Sequence, residues 1–171
     1  MSLRKTSFPP AVSSNARILL LGSLPGERSL AERQYYAHPQ NRFWHLVGKV
    51  IGHDLAALDY PDRLDTLQEH GIGLWDVVAS ARRDGSLDAS IREAEHNPLA
   101  DLAARLPYLR AVGFNGRTAE KIGRALLAEA TVPQVALPSS SPAYAAMPLP
   151  EKERCWLQLR DYLETTGARD H

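Results

Sequence analysis

Residues 17–26, "RILLLGSLPG", are the stretch that decides the fold. Four apolar residues run from Ile18 to Leu21 without a polar interruption, and Gly, Ser, Pro and Gly follow close behind. A short apolar run of this kind is typical of a strand that is buried on both faces, and the residues after it favour a tight loop. Such strands belong to parallel sheets that helices cover on both sides. The stretch therefore predicts an α/β protein.

Three more segments of the chain show a strand that runs into a loop. They are "GIGLWDVVAS" at 71–80, "LRAVGFNG" at 109–116 and "VPQVALPSSSPA" at 132–143. Segments with helical spacing lie between them, so the sequence predicts a four-stranded, mostly parallel sheet between two helical layers. Ligands bind such sheets beyond the carboxyl ends of the strands. We therefore expect the four loops to meet at one edge.

The composition limits the classes of protein that need to be considered. The chain has 171 residues, of which 44% are hydrophobic and 23% are charged. These values predict one soluble domain over 1–171. We expect about the first 15 residues to be poorly ordered. A net charge of zero argues against a histone-like protein. The single cysteine, Cys155, excludes an internal disulfide framework, and no early apolar run is long enough to span a bilayer. We expect a cytoplasmic setting.

An unusual mixture of side chains occupies residues 35–44, "YYAHPQNRFW". Aromatic rings can stack on a nucleobase, an amide offers both a donor and an acceptor, and arginine can contact phosphate. The alternative is structural, with the rings in the core and Asn41 as a helix cap. We expect both: Phe43 and Trp44 pack in the core, while Tyr36 and Asn41 face a ligand.

Several familiar kinds of site are absent from the sequence. The loop Gly22–Ser29 could approach a phosphate, but no Gly-Lys-Ser/Thr follows it, so it is not a P-loop. The serines of "LPSSSPA" lack the G-x-S-x-G elbow of a nucleophile. The six histidines form no H-x-x-x-H or H-E-x-x-H pair, so a metal site is not expected.

Four segments follow one another along the chain: "LLLGSLPGERSLAERQYYAHPQNRFW", "GLWDVVASARRDGSLDASI", "GFNGRTAEK" and "LPSSSPA". Together and in this order they resemble the uracil-DNA glycosylase superfamily, and most closely its hypoxanthine-DNA (deoxyinosine) glycosylase branch. The resemblance implies a three-layer α/β/α domain that hydrolyses the N-glycosidic bond of a deaminated base in double- or single-stranded DNA and leaves an abasic site. It also implies a monofunctional monomeric enzyme with no metal or cofactor, which acts at the nucleoid during repair.

The resemblance also implies roles for particular residues. Asn41 is the expected catalytic residue, Tyr36 stacks on the extruded base and Asn115 recognises it, with Leu24 and Pro25 beside them. His38 is expected to support the loop. The residues expected to contact the DNA backbone or enter the duplex are Ser23, Gly26, Ser29, Arg42, Pro138, Ser139, Ser140, Ser141 and Pro142.

Two positions depart from the wider superfamily. Leu24 stands where many relatives carry a catalytic Asn or Asp, and Leu137 stands where others carry His or Asn. The hypoxanthine branch is similar in lacking the first of these polar residues.

Three alternatives to this assignment follow from the same residues. The first is a glycosylase for uracil or xanthine in mismatches, and the second is a damaged-DNA binder that has lost hydrolysis, for which Leu24 and Leu137 are the reason. The third is an unrelated nucleotide-binding α/β protein.

Overall fold

A computed structural model describes residues 4–164 of the chain. The strands are β1 (Arg4–Thr6), β2 (Ile18–Gly22), β3 (Ile72–Asp76), β4 (Val78–Arg82), β5 (Arg92–His96), β6 (Ala111–Asn115) and β7 (Gln134–Leu137). The helices are α1 (Glu27–Glu32), α2 (Phe43–Ile51), α3 (Tyr60–Glu69), α4 (Leu99–Ala104), α5 (Arg117–Leu126), α6 (Leu149–Leu157) and α7 (Arg160–Leu163), with short 3₁₀ helices at Leu55–Ala57 and Asp88–Ser90.

A four-stranded parallel sheet in the order β3-β2-β6-β7 forms the centre of the fold. Strand β2 is its key member, because Ile18 pairs with Ile72 on one side and with Ala111 on the other. All five residues of β2 are buried, which explains why an uninterrupted apolar run suits this position. The predicted sheet and its four strands are confirmed.

Alternate residues of β2 supply the two halves of the core. Ile18 and Leu20 pack in the cluster that contains residues of α2 and α6, whereas Leu19 and Leu21 pack with residues of α4 and α5. Side chains of a strand point to opposite faces in turn, so one strand holds two helical layers. Full burial of each such side chain contributes about 1.5–3 kcal/mol. The result is the predicted three-layer α/β/α arrangement.

A second, antiparallel sheet in the order β1-β4-β5 was not predicted. Residues 71–80 were expected to form one strand that runs into a loop, but the chain leaves the central sheet after Asp76 and forms a strand of the second sheet from Val78. Arg4–Thr6 pair with β4, so part of the stretch expected to be poorly ordered is an edge strand. Residues 1–3, in that same stretch, lie outside the described part, and the single domain over 1–171 stays a prediction.

The carboxyl ends of all four central strands open onto one edge of the sheet, as the sequence predicts. Gly22, Asp76 and Asn115 end β2, β3 and β6, and "LPSSSPA" begins at the end of β7. Gly116, which joins β6 to α5, has φ of +98°, a conformation that side-chain-bearing residues rarely adopt. Within residues 4–164, no helix is long and apolar enough to cross a membrane.

Candidate active site

A cleft of about 540 Å³ lies at this edge of the sheet. The loop after β2 forms one wall, and the serine loop after β7 forms the opposite wall. Thirteen residues that the sequence analysis selected line it: Ser23, Leu24, Pro25, Gly26, Ser29, Tyr36, His38, Asn41, Asn115, Ser139, Ser140, Ser141 and Pro142. The structure therefore brings distant segments of the chain together around one cavity.

The other two predicted residues, Arg42 and Pro138, are not part of the cleft lining. The backbone N–H of Arg42 donates to the carbonyl of Ser140 at 3.0 Å, and the carbonyl of Pro138 accepts from the indole N–H of Trp156 at 3.0 Å. Both residues hold the serine loop from behind. The side chain of Arg42 is exposed outside the cleft, so its phosphate contact stays a prediction.

Tyr36 presents a ring to the cleft. Its other face stacks on Phe43, with ring centroids 3.8 Å apart and an angle of 13° between the planes. Phe43 is fully buried and Trp44 is 4% exposed, so both pack in the core as predicted. Tyr36 has φ of +55°, which is uncommon for a residue with a side chain and is often found at functional sites. A planar ligand would stack on the face that Phe43 leaves uncovered.

Asn41 combines the two roles that the sequence suggested for it. Its Oδ1 accepts from the backbone N–H of Phe43 at 2.9 Å, just before α2 begins. Its side-chain NH₂ has no hydrogen-bond partner among residues 4–164, although the residue lines the cleft. Anchoring of the oxygen fixes the amide, and the NH₂ group remains for a ligand or a water molecule. His38 supports the same turn, since its Nδ1 accepts from the backbone N–H of Gln40 at 3.1 Å.

Asn115 is a bridge between two loops. Its NH₂ donates to the hydroxyl of Ser140, and its Oδ1 accepts from the backbone N–H of Ser140, both at 2.9 Å. Each end of the amide therefore has a partner within the protein, and the recognition of a base by Asn115 stays a prediction.

The serine loop is ordered by its own hydroxyl groups. The hydroxyl of Ser139 accepts from the backbone N–H of Ser141, and the hydroxyl of Ser141 accepts from that of Ala143, both at 3.1 Å. Leu137, which the sequence analysis singled out as a departure from the wider superfamily, is buried in the core. The loop is therefore preformed, and each of these hydroxyl groups still has its own O–H to donate.

Arg83 holds the opposite wall and was missed by the sequence analysis. It is 1% exposed, and its guanidinium donates to the carbonyls of Leu24 at 3.1 Å and Pro25 at 2.6 Å. The same side chain also donates to the carbonyl of Gly85 at 2.9 Å. A buried cation is expensive unless it is well paired, and here backbone carbonyls satisfy it. Arg83 thus fixes the backbone of the loop that carries Leu24, whose side chain is itself buried.

Asp76 is the second residue that the sequence analysis missed. It is 3% exposed, lies at the end of β3 and lines the cleft. Burial raises the pKa of Asp76 to about 7, the charge of Asp88 adds to the increase, and Arg83 opposes it. The only sign in the sequence is an acidic residue directly after the apolar run of "GIGLWD".

Gly22 provides the space between Asp76 and Tyr36. A Cβ atom at Gly22 would lie 2.8 Å from Oδ1 of Asp76 and 2.8 Å from the hydroxyl oxygen of Tyr36. Burial and the nearby Asp76 raise the pKa of Tyr36, so its hydroxyl keeps its proton. The carboxyl group and the ring are therefore near neighbours at the base of the cleft.

Replacing Gly22 with alanine is expected to weaken ligand binding without unfolding the protein. The new methyl group would displace the ends of two side chains rather than backbone, because both contacts below 3.0 Å are to side-chain atoms. The variant should keep its cooperative unfolding transition and lose affinity for a ligand that stacks on Tyr36. Gly52→Ala is the contrasting variant: the φ of +76° at Gly52 should make it costly in stability, but the residue lies outside the cleft lining, so ligand affinity should not change. Equal affinity of Gly22→Ala and wild type would contradict this geometry.

The described residues contain no group of three or more His, Cys, Asp or Glu side chains that could hold a metal ion. The groups that line the cleft include amides, an aromatic ring, hydroxyl groups and the Asp76 carboxyl group.

Comparison with known proteins agrees with this arrangement. The family model of the uracil DNA glycosylase superfamily matches residues 9–163. The hypoxanthine DNA glycosylase of Methanosarcina barkeri is 44% identical over 115 residues, which are 67% of this chain and 73% of that protein. That of Methanosarcina acetivorans is 43% identical over 142 residues, 81% of this chain and 87% of that protein.

A solved structure has the same fold. The solution NMR structure of a Methanosarcina acetivorans protein, provisionally named a uracil DNA glycosylase, has a TM-score of 0.85 and 39% identity to this chain. The match covers 95% of this chain and 100% of that one. The family match, the two relatives and this structure agree with the predicted assignment, and the chain belongs to the uracil DNA glycosylase superfamily.

Proposed function

We propose that the protein removes hypoxanthine from DNA by hydrolysing the N-glycosidic bond, which releases the free base and leaves an abasic site. The observation that carries this proposal is the presence, in one cleft, of the Tyr36 ring and of an Asn41 amide whose oxygen is anchored and whose NH₂ group has no partner among residues 4–164. The curated relatives are both named hypoxanthine DNA glycosylase. They and the family match confirm the coarser prediction that the chain is a DNA glycosylase.

The shape of the cleft suits an extruded base. Its volume of about 540 Å³ falls within the usual range for small-ligand pockets, about 300–1,000 Å³. Enzymes that act on a base must take it out of the stack, and extrusion costs least where pairing is already weak. We propose that the base stacks on the free face of Tyr36. The loops after β2 and β7 contact the DNA backbone on either side.

The breaking of the glycosidic bond puts positive charge on the sugar and negative charge on the departing base. Preorganised donors in a water-poor site stabilise such charge more effectively than water does. In our proposal the Asn41 amide holds the attacking water. An amide is a weak base, but a cationic sugar intermediate does not need a strong one.

Hypoxanthine differs from adenine in carrying a carbonyl group rather than an amine at C6. A hydrogen-bond donor directed at C6 pairs with the carbonyl group of hypoxanthine. In adenine the same donor would face the amine, which is itself a donor. The second N–H of Asn115, which acts on the Tyr36 hydroxyl, is one group that could make this distinction, since the other N–H is bonded to Ser140.

A panel of duplex and single-stranded DNA tests the proposal. The lesions are inosine, uracil and xanthine, with unmodified DNA as the control. We expect abasic product from inosine DNA at a rate above that from every other lesion. Faster excision of uracil or xanthine would favour the mismatch-type glycosylase, and tight binding to inosine DNA without product would favour a damage binder. Selective binding of free nucleotides would favour the unrelated nucleotide-binding protein.

A further inference from the structure

The carboxyl group of Asp76 has an unusual environment for an acidic side chain. Its Oδ2 is buried and has no hydrogen-bond partner among residues 4–164. A buried polar atom without a partner costs free energy, so such atoms are rare and call for an explanation. This one belongs to a residue that lines the cleft.

The position of the carboxyl group relates it to the proposed base. The Asp76 carboxyl and the Tyr36 hydroxyl both approach the same point above Gly22. A base that stacks on Tyr36 would therefore have an edge near the hydroxyl end of that ring, beside Asp76. No other acidic side chain in the described lining is so completely buried: Glu27 and Asp88, the others present, are both exposed.

Four ionisable groups interact electrostatically with Asp76: Tyr35 and Tyr36 before α2, Arg83 after β4, and Asp88 in the second 3₁₀ helix. Asp88 also accepts from the hydroxyl of Ser23 at 2.7 Å. Burial is the largest influence on the pKa of Asp76, and the charge of Asp88 acts in the same direction. The carboxyl group therefore exists as the neutral acid over a range where most aspartates are ionised.

We propose that Asp76 is a catalytic residue whose neutral carboxyl group donates a hydrogen bond to the extruded base and so stabilises the charge that the departing base acquires. This inference rests on the proposed function, because it assigns the donor for the same leaving base. It also supplies the stabilisation that Leu137 cannot provide.

The chemistry balances without another reactant. The C1′–N9 bond breaks and its electron pair goes to the base, while the oxygen of water bonds to C1′ and a proton of that water neutralises the base. Atoms O6 and N7 of the purine share the negative charge and lie on one edge as acceptors. Asp76 keeps its proton throughout. An ionised Asp76 would repel the developing anion at the same place.

The expected dependence on pH follows from this requirement. The neutral form is the active form, so excision is highest below the pKa of Asp76 and falls as pH rises through about 7. Single-turnover excision should fall about tenfold between about pH 6 and about pH 8, since the protonated fraction falls by that factor across a pKa near the middle.

The test compares Asp76→Asn with wild type on inosine DNA across this pH range. The asparagine NH₂ is also a donor, but it does not titrate. We expect the variant to excise hypoxanthine within about tenfold of the wild-type rate at about pH 6, with no loss up to about pH 8. An unchanged pH-dependent fall in Asp76→Asn would overturn the proposal, and so would complete inactivity despite normal DNA binding.

Two further points keep the result decisive. Histidine also changes charge near neutral pH, but Asp76→Asn keeps all six histidines, so a fall in excision that histidine causes would persist in this variant. Carbon-13 NMR of the wild-type carboxyl groups does not depend on a variant that folds. An Asp76 that titrates below about pH 5 would overturn the proposal. Wild type that does not excise hypoxanthine at any pH would instead refute the proposed function.

Discussion

Replacing Asn41 with alanine is expected to lower single-turnover excision of the base by about 10²–10³, the usual effect of losing one preorganised group at the reacting centre. The amide lines the cleft, and its oxygen is anchored to the N–H of Phe43 at 2.9 Å. Its position therefore does not depend on the ligand. Excision should be measured with enzyme in excess over inosine DNA, so that product release does not limit the rate.

The same substitution removes a hydrogen bond at the start of α2, and this structural effect must be separated from the chemical one. Asn41→Ser is the suitable control, because serine also accepts hydrogen bonds at helix N-termini but carries no amide. We expect both variants to lose excision, whereas only Asn41→Ala should lose about 0.5–2 kcal/mol of stability. Near-normal excision by either folded variant would remove Asn41 from the mechanism.

The largest effect on stability is expected from Trp156→Ala. Trp156 is fully buried in α6, and its ring meets Phe43 edge to face, with centroids 5.8 Å apart. Removal of a large aromatic side chain from a core typically costs about 3–5 kcal/mol. We therefore expect the free energy of unfolding, from urea denaturation, to fall by about this amount. A midpoint equal to that of wild type would show that the cluster does not depend on this ring.

Trp156→Phe separates packing from hydrogen bonding. Phenylalanine keeps most of the apolar contact but cannot donate to the carbonyl of Pro138, which accepts from the indole at 3.0 Å. The loss of that donor should cost about 1–3 kcal/mol and loosen the serine loop behind the cleft. Excision by Trp156→Phe should fall more than its stability alone explains. Unchanged excision would show that the bond from Trp156 is not needed to hold the serine loop in its active conformation.

The central sheet could be predicted because each strand carries its own signal. The apolar run of β2 and the loop residues after it depend only on local sequence and on burial of both faces. The second sheet could not be predicted in this way. Arg4–Thr6 is a short polar edge strand that exists only because β4 lies beside it.

The cleft was predictable to the extent that its residues follow strands. Tyr36 and Asn41 were selected because aromatic and amide groups suit a base, and Asn115 was selected from the resemblance to the family. Their catalytic and recognition roles stay predictions until the variants are measured. The internal partners of Asn115 were not predictable, since Ser140 lies 25 positions away in the chain.

The sequence by itself determined the α/β/α layers, the edge where the loops meet, the family and most of the cleft lining, because these follow from patterns that repeat with each strand. The tertiary structure alone decided that Asp76 and Arg83 are buried and which groups surround them. A charged residue in the sequence is expected at the surface. Whether such a residue is buried, and which groups surround its charge, depends on elements that are distant along the chain and come together only in the folded protein.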